Sequence, residues 1–281
     1  MSAGGFIIRQ MAIKDVELAV NWAAGEGWNP GLNDAACFYH TDPNGFFIGE
    51  LGGEPIGCIS AVSYGDSFGF IGFYIIRKDL RGKWYGIELG RRAMSYLGAR
   101  NIGIDGVVGK IRNYEKFGFS LAHRNIRYAG RGGGSGSADV VELSTIHLGS
   151  IVSYDAGIFP AERAGFLEQW INQPGGASLG CVEKNELKGY GVIRPCRTGF
   201  KIGPLFADSP DIAERLFDAL AGKVSPQADL FLDVPAINPA ALALARYHKL
   251  TAVFETGRMY NKGAPPVPVE KVFGITSFEL G

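Results

Sequence analysis

Between Tyr74 and Gly86 the chain runs Tyr-Ile-Ile-Arg-Lys-Asp-Leu-Arg-Gly-Lys-Trp-Tyr-Gly. An apolar, β-branched stretch thus breaks into Arg81-Gly82-Lys83-Trp84-Tyr85-Gly86 just before a helix-periodic segment. A strand that feeds a glycine turn and then a helix can cradle a phosphate. Gly82 and Gly86 let successive backbone N–H groups turn toward one point, the helix adds its unpaired N-terminal donors and positive dipole end, and Arg81 and Lys83 supply charge. The natural ligand of such a cradle is a pyrophosphate. The same residues also suit a plain strand-to-helix connection, so the neighbouring elements must decide.

The positioning elements follow from periodicity and turn chemistry. Strands are expected at 6–10, 46–51, 54–64, 68–76, 102–106 and 119–129, and helices near 14–24, 33–40, 84–100 and 107–117. Gly52-Gly53 reads as a hairpin turn, and Gly65-Asp66 as another. The order is strand, two helices, three antiparallel strands, helix, strand, helix, then two strands. Arg131-Gly-Gly-Gly-Ser-Gly-Ser137 cannot bury apolar surface and marks a boundary. The expected division is a first domain over 1–130, a linker over 131–145 and a second domain over 146–281. A similar order recurs after the linker: Tyr114-Glu-Lys116 matches Tyr247-His-Lys249, and Ile71-Gly72 matches Ile202-Gly203, at nearly equal shifts. The loop does not recur. Its counterpart is shorter and carries Asp208 and Asp211, which would repel a pyrophosphate, so the second half is not expected to hold such a ligand.

Composition excludes several classes. The 28 basic and 28 acidic residues cancel, which argues against a nucleic acid or an anionic membrane held through bulk charge. Cys37, Cys58, Cys181 and Cys196 lack zinc or disulfide spacing and read as buried thiols. The four histidines show no metal-ligand spacing, so no metal is expected, and no Gly-x-Ser-x-Gly elbow supports hydrolysis. No segment approaches ~18 consecutive apolar residues and no leader is evident, so the expectation is a cytoplasmic protein.

The loop resembles the acetyl-CoA loop of the GNAT superfamily of N-acetyltransferases, Arg/Gln-x-x-Gly-x-Gly/Ala, with Arg81, Gly82 and Gly86 on the pattern and Trp84 in place of the central glycine. The element order is the GNAT order. Asn113-Tyr114-Glu115-Lys116-Phe117-Gly118-Phe119 resembles the Tyr-x-x-x-Gly-Phe end of the fourth GNAT helix. The resemblance implies an α/β fold with a mixed sheet and acetyl-CoA as co-substrate. It also implies that Tyr114 protonates the leaving thiolate, that Tyr74, Ile75 and Ile76 offer backbone groups to the acetyl carbonyl and the pantetheine, and that Arg81, Gly82, Lys83, Trp84, Tyr85, Gly86 and Asn113 line the cofactor site. Without it, Tyr114 reads as an amphipathic core tyrosine. Gly27-Trp28-Asn29-Pro30-Gly31, Gly-Phe-Tyr-Ile-Ile-Arg77, His123-Arg-Asn-Ile-Arg-Tyr128 and, in the second half, Tyr190–Arg197, Ile202–Asp208 and Val272–Phe278 look like the two-domain YitH-like acetyltransferases. That subgroup implies a degenerate second GNAT-like domain packed on the first.

The acceptor wall then falls on Glu26, Trp28 and Asn29, between the first two helices. Trp28 offers a flat apolar face and Asn29 a donor and an acceptor, although a tryptophan plugging the core is an equal reading. Asp208 and Glu255, with Arg194, Arg197 and Arg258, either line the far side of that pocket or form structural ion pairs. Glu26, Asp66 and Asp105 are the candidate bases, with a water chain as the other route. The expected activity is acetyl transfer from acetyl-CoA to a primary amine of a small molecule by direct attack, since no activated nucleophile is evident. No nucleic acid or membrane partner is expected, and a homodimer is compatible. The alternative is a GNAT fold that has lost catalysis and binds CoA, a metabolite or a protein. Trp84 favours that alternative: its indole must swing away from the phosphate approach or obstruct it, and the expectation is a compromised cofactor site in which Trp84→Gly tightens CoA binding by about tenfold.

Overall fold

The turn signals of the first half resolve, in a computed structural model that describes residues 5–281, into β1 (Phe6–Gln10), α1 (Ile13–Gly25), α2 (Asp34–Thr41), β2 (Phe46–Leu51), β3 (Glu54–Tyr64) and β4 (Phe68–Ile76), followed by α3 (Tyr85–Leu97), β5 (Asn101–Val107), α4 (Ile111–Glu115) and β6 (Ser120–Arg131). The second half adds β7 (Val140–Glu142), α5 (Leu148–Ala156), α6 (Ala164–Trp170), β8 (Ala177–Glu183), β9 (Glu186–Pro195), β10 (Phe200–Ala207), α7 (Pro210–Ala221), β11 (Asp229–Pro235), α8 (Pro239–Tyr247), β12 (Thr251–Tyr260) and β13 (Val272–Gly274). The helix expected over 107–117 is shorter. A 3-10 turn takes Val108–Lys110, and only Ile111–Glu115 is α-helical.

Helix α3 shows why these segments fold as they do. Leu89, Ala93 and Leu97 recur one turn apart and bury against Phe47, Ile59, Ile102 and Ile104, each large side chain contributing roughly 1.5–3 kcal/mol. Gly98, at φ 58°, ends the helix in a conformation that a side chain would oppose. On the other face of the sheet, α1 and α2 with α5 and α6 cover a second core built on Phe38, Phe70, Phe73 and Trp170.

All strands join one sheet in the order β1-β2-β3-β4-β5-β12-β6-β11-β10-β9-β8-β7, with β13 beside β10. Each half's last strand is therefore exchanged: β12 lies between β5 and β6, and β6 lies between β12 and β11. The first half supplies only one of the two final strands that its order calls for, and the far end of the chain supplies the other. Three antiparallel pairings separate β5 from β11, so β4 and β10, each parallel to its neighbour, run in opposite directions and end on opposite edges of the sheet.

The exchange is locked by two equivalent ion pairs. Arg127 of β6 reaches Asp233 of β11 with two bonds of 2.7 and 2.8 Å, and Arg258 of β12 reaches Asp105 of β5 with two of 2.9 and 2.6 Å. Burial opposes charge on Asp233, yet Arg127, with Lys201 and Arg194 nearby, holds its carboxyl below the usual range; at Asp105 burial prevails over Arg258 and pushes the carboxyl up. Residues 132–139, without regular structure, lie against α7: Gly133 donates to Ala221 O, and a Cβ on Gly134 would strike the Asp218 carbonyl.

Candidate active site

Strands β4 and β5 pair in parallel only from Phe68↔Asn101 to Ile71↔Ile104. Beyond Ile71 they part. The cause is local: Gly72 faces Ser60 and Ile75 faces Cys58, so Phe73 and Tyr74 together oppose Ile59, and Phe73 takes φ 45°. This bulge turns the end of β4 away from β5 and leaves a notch. Arg77 N–H donates to Ile56 O on β3. The trans peptide therefore points the Ile76 carbonyl the other way, into the notch, and the Ile76 N–H follows it by strand alternation. Tyr74, Ile75 and Ile76 thus line the strand end that the notch exposes.

The segment after β4 forms an open cradle. Gly82 has φ 77°, and no atom lies within 4 Å of where its Cβ would be. Among the described residues no group accepts from the amides of Gly82, Lys83, Trp84, Tyr85, Gly86 or Ile87, and α3 has no capping side chain. These are the free donors that a pyrophosphate requires. Lys83 is exposed, whereas the Tyr85 ring is buried against Ile56 and Leu80, which leaves only its amide to the cradle. The expected obstruction by Trp84 is not what the structure has: the indole has swung away and packs on Phe6 and Tyr85 at 5.1 and 4.8 Å between ring centres. Trp84→Gly is accordingly expected to leave CoA affinity within about twofold and to lose roughly 0.5–1.5 kcal/mol of aromatic packing per ring pair, read by calorimetric titration and thermal melting. A tenfold gain in affinity would show that the indole obstructs.

Tyr114 of α4 lies over Gly106 of β5, where a Cβ would come within 2.5 Å of its ring. Its hydroxyl has no hydrogen-bond partner among the described residues, and burial raises its pKa. Tyr74 is the neighbouring phenol. Its hydroxyl sits 2.7 Å from the Cβ position of Gly86, so this glycine also makes room for a side chain, and burial pushes Tyr74 up to about 12. Asn113 is exposed beside them.

The acceptor residues are only partly brought together. Glu26 lies at the end of α1, where its carboxylate meets Arg81 Nη2 at 2.6 Å. Trp28 is half-buried against the core, and its carbonyl accepts from Arg127. Asn29, expected to offer its amide to a ligand, spends both ends on the second half: Nδ2 donates to Thr198 O and Oδ1 accepts from Thr198 N, each at 2.9 Å. Asp208 follows β10 on the opposite edge of the sheet, bonded to Lys271 and Tyr154, and cannot line this notch. Glu255 pairs with Arg124, and its neighbour Gly257 faces Leu121 and Ile111 on the α4 side rather than the α1 side. Among the base candidates, both oxygens of Asp105 accept from Arg258, and Asp66 is exposed at the hairpin that starts β4. Arg194 joins Asp34 in a fully buried pair.

A sequence model of the acetyltransferase (GNAT) family matches residues 13–119, and a model of an acetyltransferase (GNAT) domain matches 151–274. The chain is a tandem GNAT acyltransferase. It is similar to the holothin acyltransferase of Pseudoalteromonas sp. (strain SANK 73390), 26% identical over 96% of this chain and 92% of that one. A crystal structure of a candidate acetyltransferase from Pyrococcus horikoshii superposes with a TM-score of 0.85 at 25% identity, covering 100% of this chain and 98% of the other. A tandem GNAT protein from the clavulanic acid biosynthesis pathway shares the fold alone, with a TM-score of 0.62 at 11% identity over 91% of this chain and 98% of that one.

The two GNAT halves keep their notches very differently. In the second, Gly203 and Pro204 form the equivalent bulge, and β10 leaves β11 after Ile202↔Leu232. There β13 fills the gap, pairing Leu205↔Gly274 and Phe206↔Val272. The connection to α7 is only residues 208–209; Ser209 caps the helix by accepting from Ile212 N, and Pro210 has no N–H to offer. The strand and helix signals of this half carry no hint of the plug, because Val272-Phe-Gly274 is a short apolar run whose partner is decided by tertiary contact.

Proposed function

We propose that the first half transfers an acetyl group from acetyl-CoA to the primary amine of a small molecule by direct attack. The observation that carries this reading is the notch beyond Ile71 with the Ile76 N–H facing into it, flanked by the free amides of 82–87 and the unpartnered hydroxyl of Tyr114. A second observation supports it: the indole of Trp84, which favoured an inactive binding module, is turned out of the cradle. The similarity to an enzyme named for holothin acylation supports acyl transfer as the activity.

In this reading the cradle amides and Lys83 hold the pyrophosphate, and the Ile76 N–H polarises the thioester carbonyl. The amine nitrogen forms the new C–N bond as the C–S bond breaks. Tyr114 gives its proton to the departing thiolate, and the proton shed by the amine leaves through water, since Asp105 and Asp66 are not placed to take it and the Glu26 carboxylate is held by Arg81. The second half, its notch filled by β13, holds the α1–α2 loop in place through Thr198 and Lys201. No helix among the described residues is long and apolar enough to cross a membrane. The test is thiol release from acetyl-CoA against a panel of amines, amino acids, polyamines and aminoglycosides, with product masses measured. A mass gain of one acetyl group on an amine supports the reading; saturable CoA binding with no product from any amine would favour the binding module.

A further inference from the structure

Arg81 does not stand where a phosphate-binding arginine would. Its Nε donates to the Ile76 carbonyl at 2.8 Å, and its Nη2 meets Glu26 Oε1 at 2.6 Å. The Ile76 carbonyl points into the notch, so the guanidinium lies in the gap that the pantetheine would follow along β4. The two partners belong to different elements. Ile76 ends the strand, whereas Glu26 is held at the end of α1 by its own N–H, which donates to Trp22 O and Ala23 O. The pair sits at the rim, with side-chain exposures of 44% for Arg81 and 22% for Glu26, against 4% or less for the arginines and aspartates of Arg127–Asp233 and Arg194–Asp34. The buried pairs are built to stay closed. A rim pair is weak enough for a ligand with many contacts to displace.

Resting on the reading that the first half binds acetyl-CoA, we propose that Arg81 and Glu26 form a latch across the notch: the pantetheine takes the Ile76 carbonyl from Arg81, and Glu26 is thereby freed to face the acceptor. A pantetheine amide N–H replaces the Arg81 N–H on the same carbonyl, so no backbone acceptor is left unpaired by the exchange. Arg81 then turns toward the cradle, one residue from Gly82, where its charge meets the phosphates. The carboxylate of Glu26, beside the half-buried face of Trp28, becomes the group that accepts a hydrogen bond from the acceptor's amine N–H. Occupancy of one site thus prepares the other.

Titration calorimetry with CoA on the parent, Glu26→Gln, Arg81→Met and the double variant tests the latch. Loosening it should tighten CoA binding in Glu26→Gln by about three- to fivefold, as expected when a rim ion pair no longer competes. The gain should vanish in the Arg81→Met background, where no latch remains to be loosened. Arg81→Lys, which keeps the charge but cannot span both acceptors, should also bind CoA more tightly than the parent. An equal gain in both backgrounds would mean plain repulsion between Glu26 and an anionic ligand and would overturn the latch. Equal or weaker binding by Glu26→Gln would overturn it too. A parent that binds no CoA would remove the acetyl-CoA reading itself, and the latch with it.

Discussion

Tyr114→Phe is expected to lower kcat roughly 10²–10⁴-fold while CoA affinity stays unchanged, because the ring over Gly106 remains and only the transferable proton is lost. The magnitude follows from the position of the hydroxyl. It is bonded to nothing among the described residues, so its removal breaks no structural contact, and the stability of the variant should match the parent's. Burial raises the phenol above its ordinary value near 10, and a thiolate leaving into the same site loses hydration as well, so the proton passes between groups shifted in the same direction. The raised pKa also fixes the pH dependence. Tyr114 stays protonated throughout the neutral range, so the parent's rate should show no alkaline fall assignable to this residue below pH ~10. Single-turnover rates from pH 6 to 9.5 check both statements. A variant as fast as the parent with chemistry limiting would return Tyr114 to packing.

Much of this was legible in the residues, and the failures share a physical cause. The strands of the first half fall within two residues of their expected bounds because Gly52-Gly53 and Gly65-Asp66 punctuate runs of clear alternation. The turn and helix start after β4 were legible because their signals are local: glycines, a helix start and basic residues lie within six positions. Asn29 was not, since a polar side chain in a Gly/Pro loop looks the same whether its partner is a ligand or the backbone of Thr198, distant in sequence. Glu255 and Asp208 failed likewise. Alternation identifies β6 and β12 as strands, but pairing depends on edges that exist only after folding, so nothing local announces that they exchange. A trace of the exchange was present. Asp105 and Asp233, Arg127 and Arg258 recur at about the same spacing as Ile71-Gly72 and Ile202-Gly203, which extending the repeat would have joined.

Arg258→Met should be among the most damaging single substitutions in the chain. It would leave Asp105, fully buried and already disfavoured as a charge, with only Asn125 as a partner, and removing one member of such a pair costs roughly 3–5 kcal/mol. The loss is not confined to one half. Arg258 is carried by a strand of the second half inserted beside β5 of the first, so loosening it exposes the edges of both β5 and β6. Urea unfolding followed by tryptophan fluorescence and by far-ultraviolet dichroism should therefore give one coincident transition in the parent and in the variant, shifted to lower urea in the latter. Arg258→Met with Asp105→Leu should recover most of the shift, since an apolar pair removes the stranded charge. Arg127→Met, facing Asp233, should destabilise in the same direction but by less than Arg258→Met, because Lys201 and Arg194 remain near the stranded carboxylate. Two separated transitions in the parent would mean that the halves fold independently and that the exchanged strands bind them only loosely. A single transition would instead mean that the second half, with its own notch closed, stabilises the first by completing its sheet.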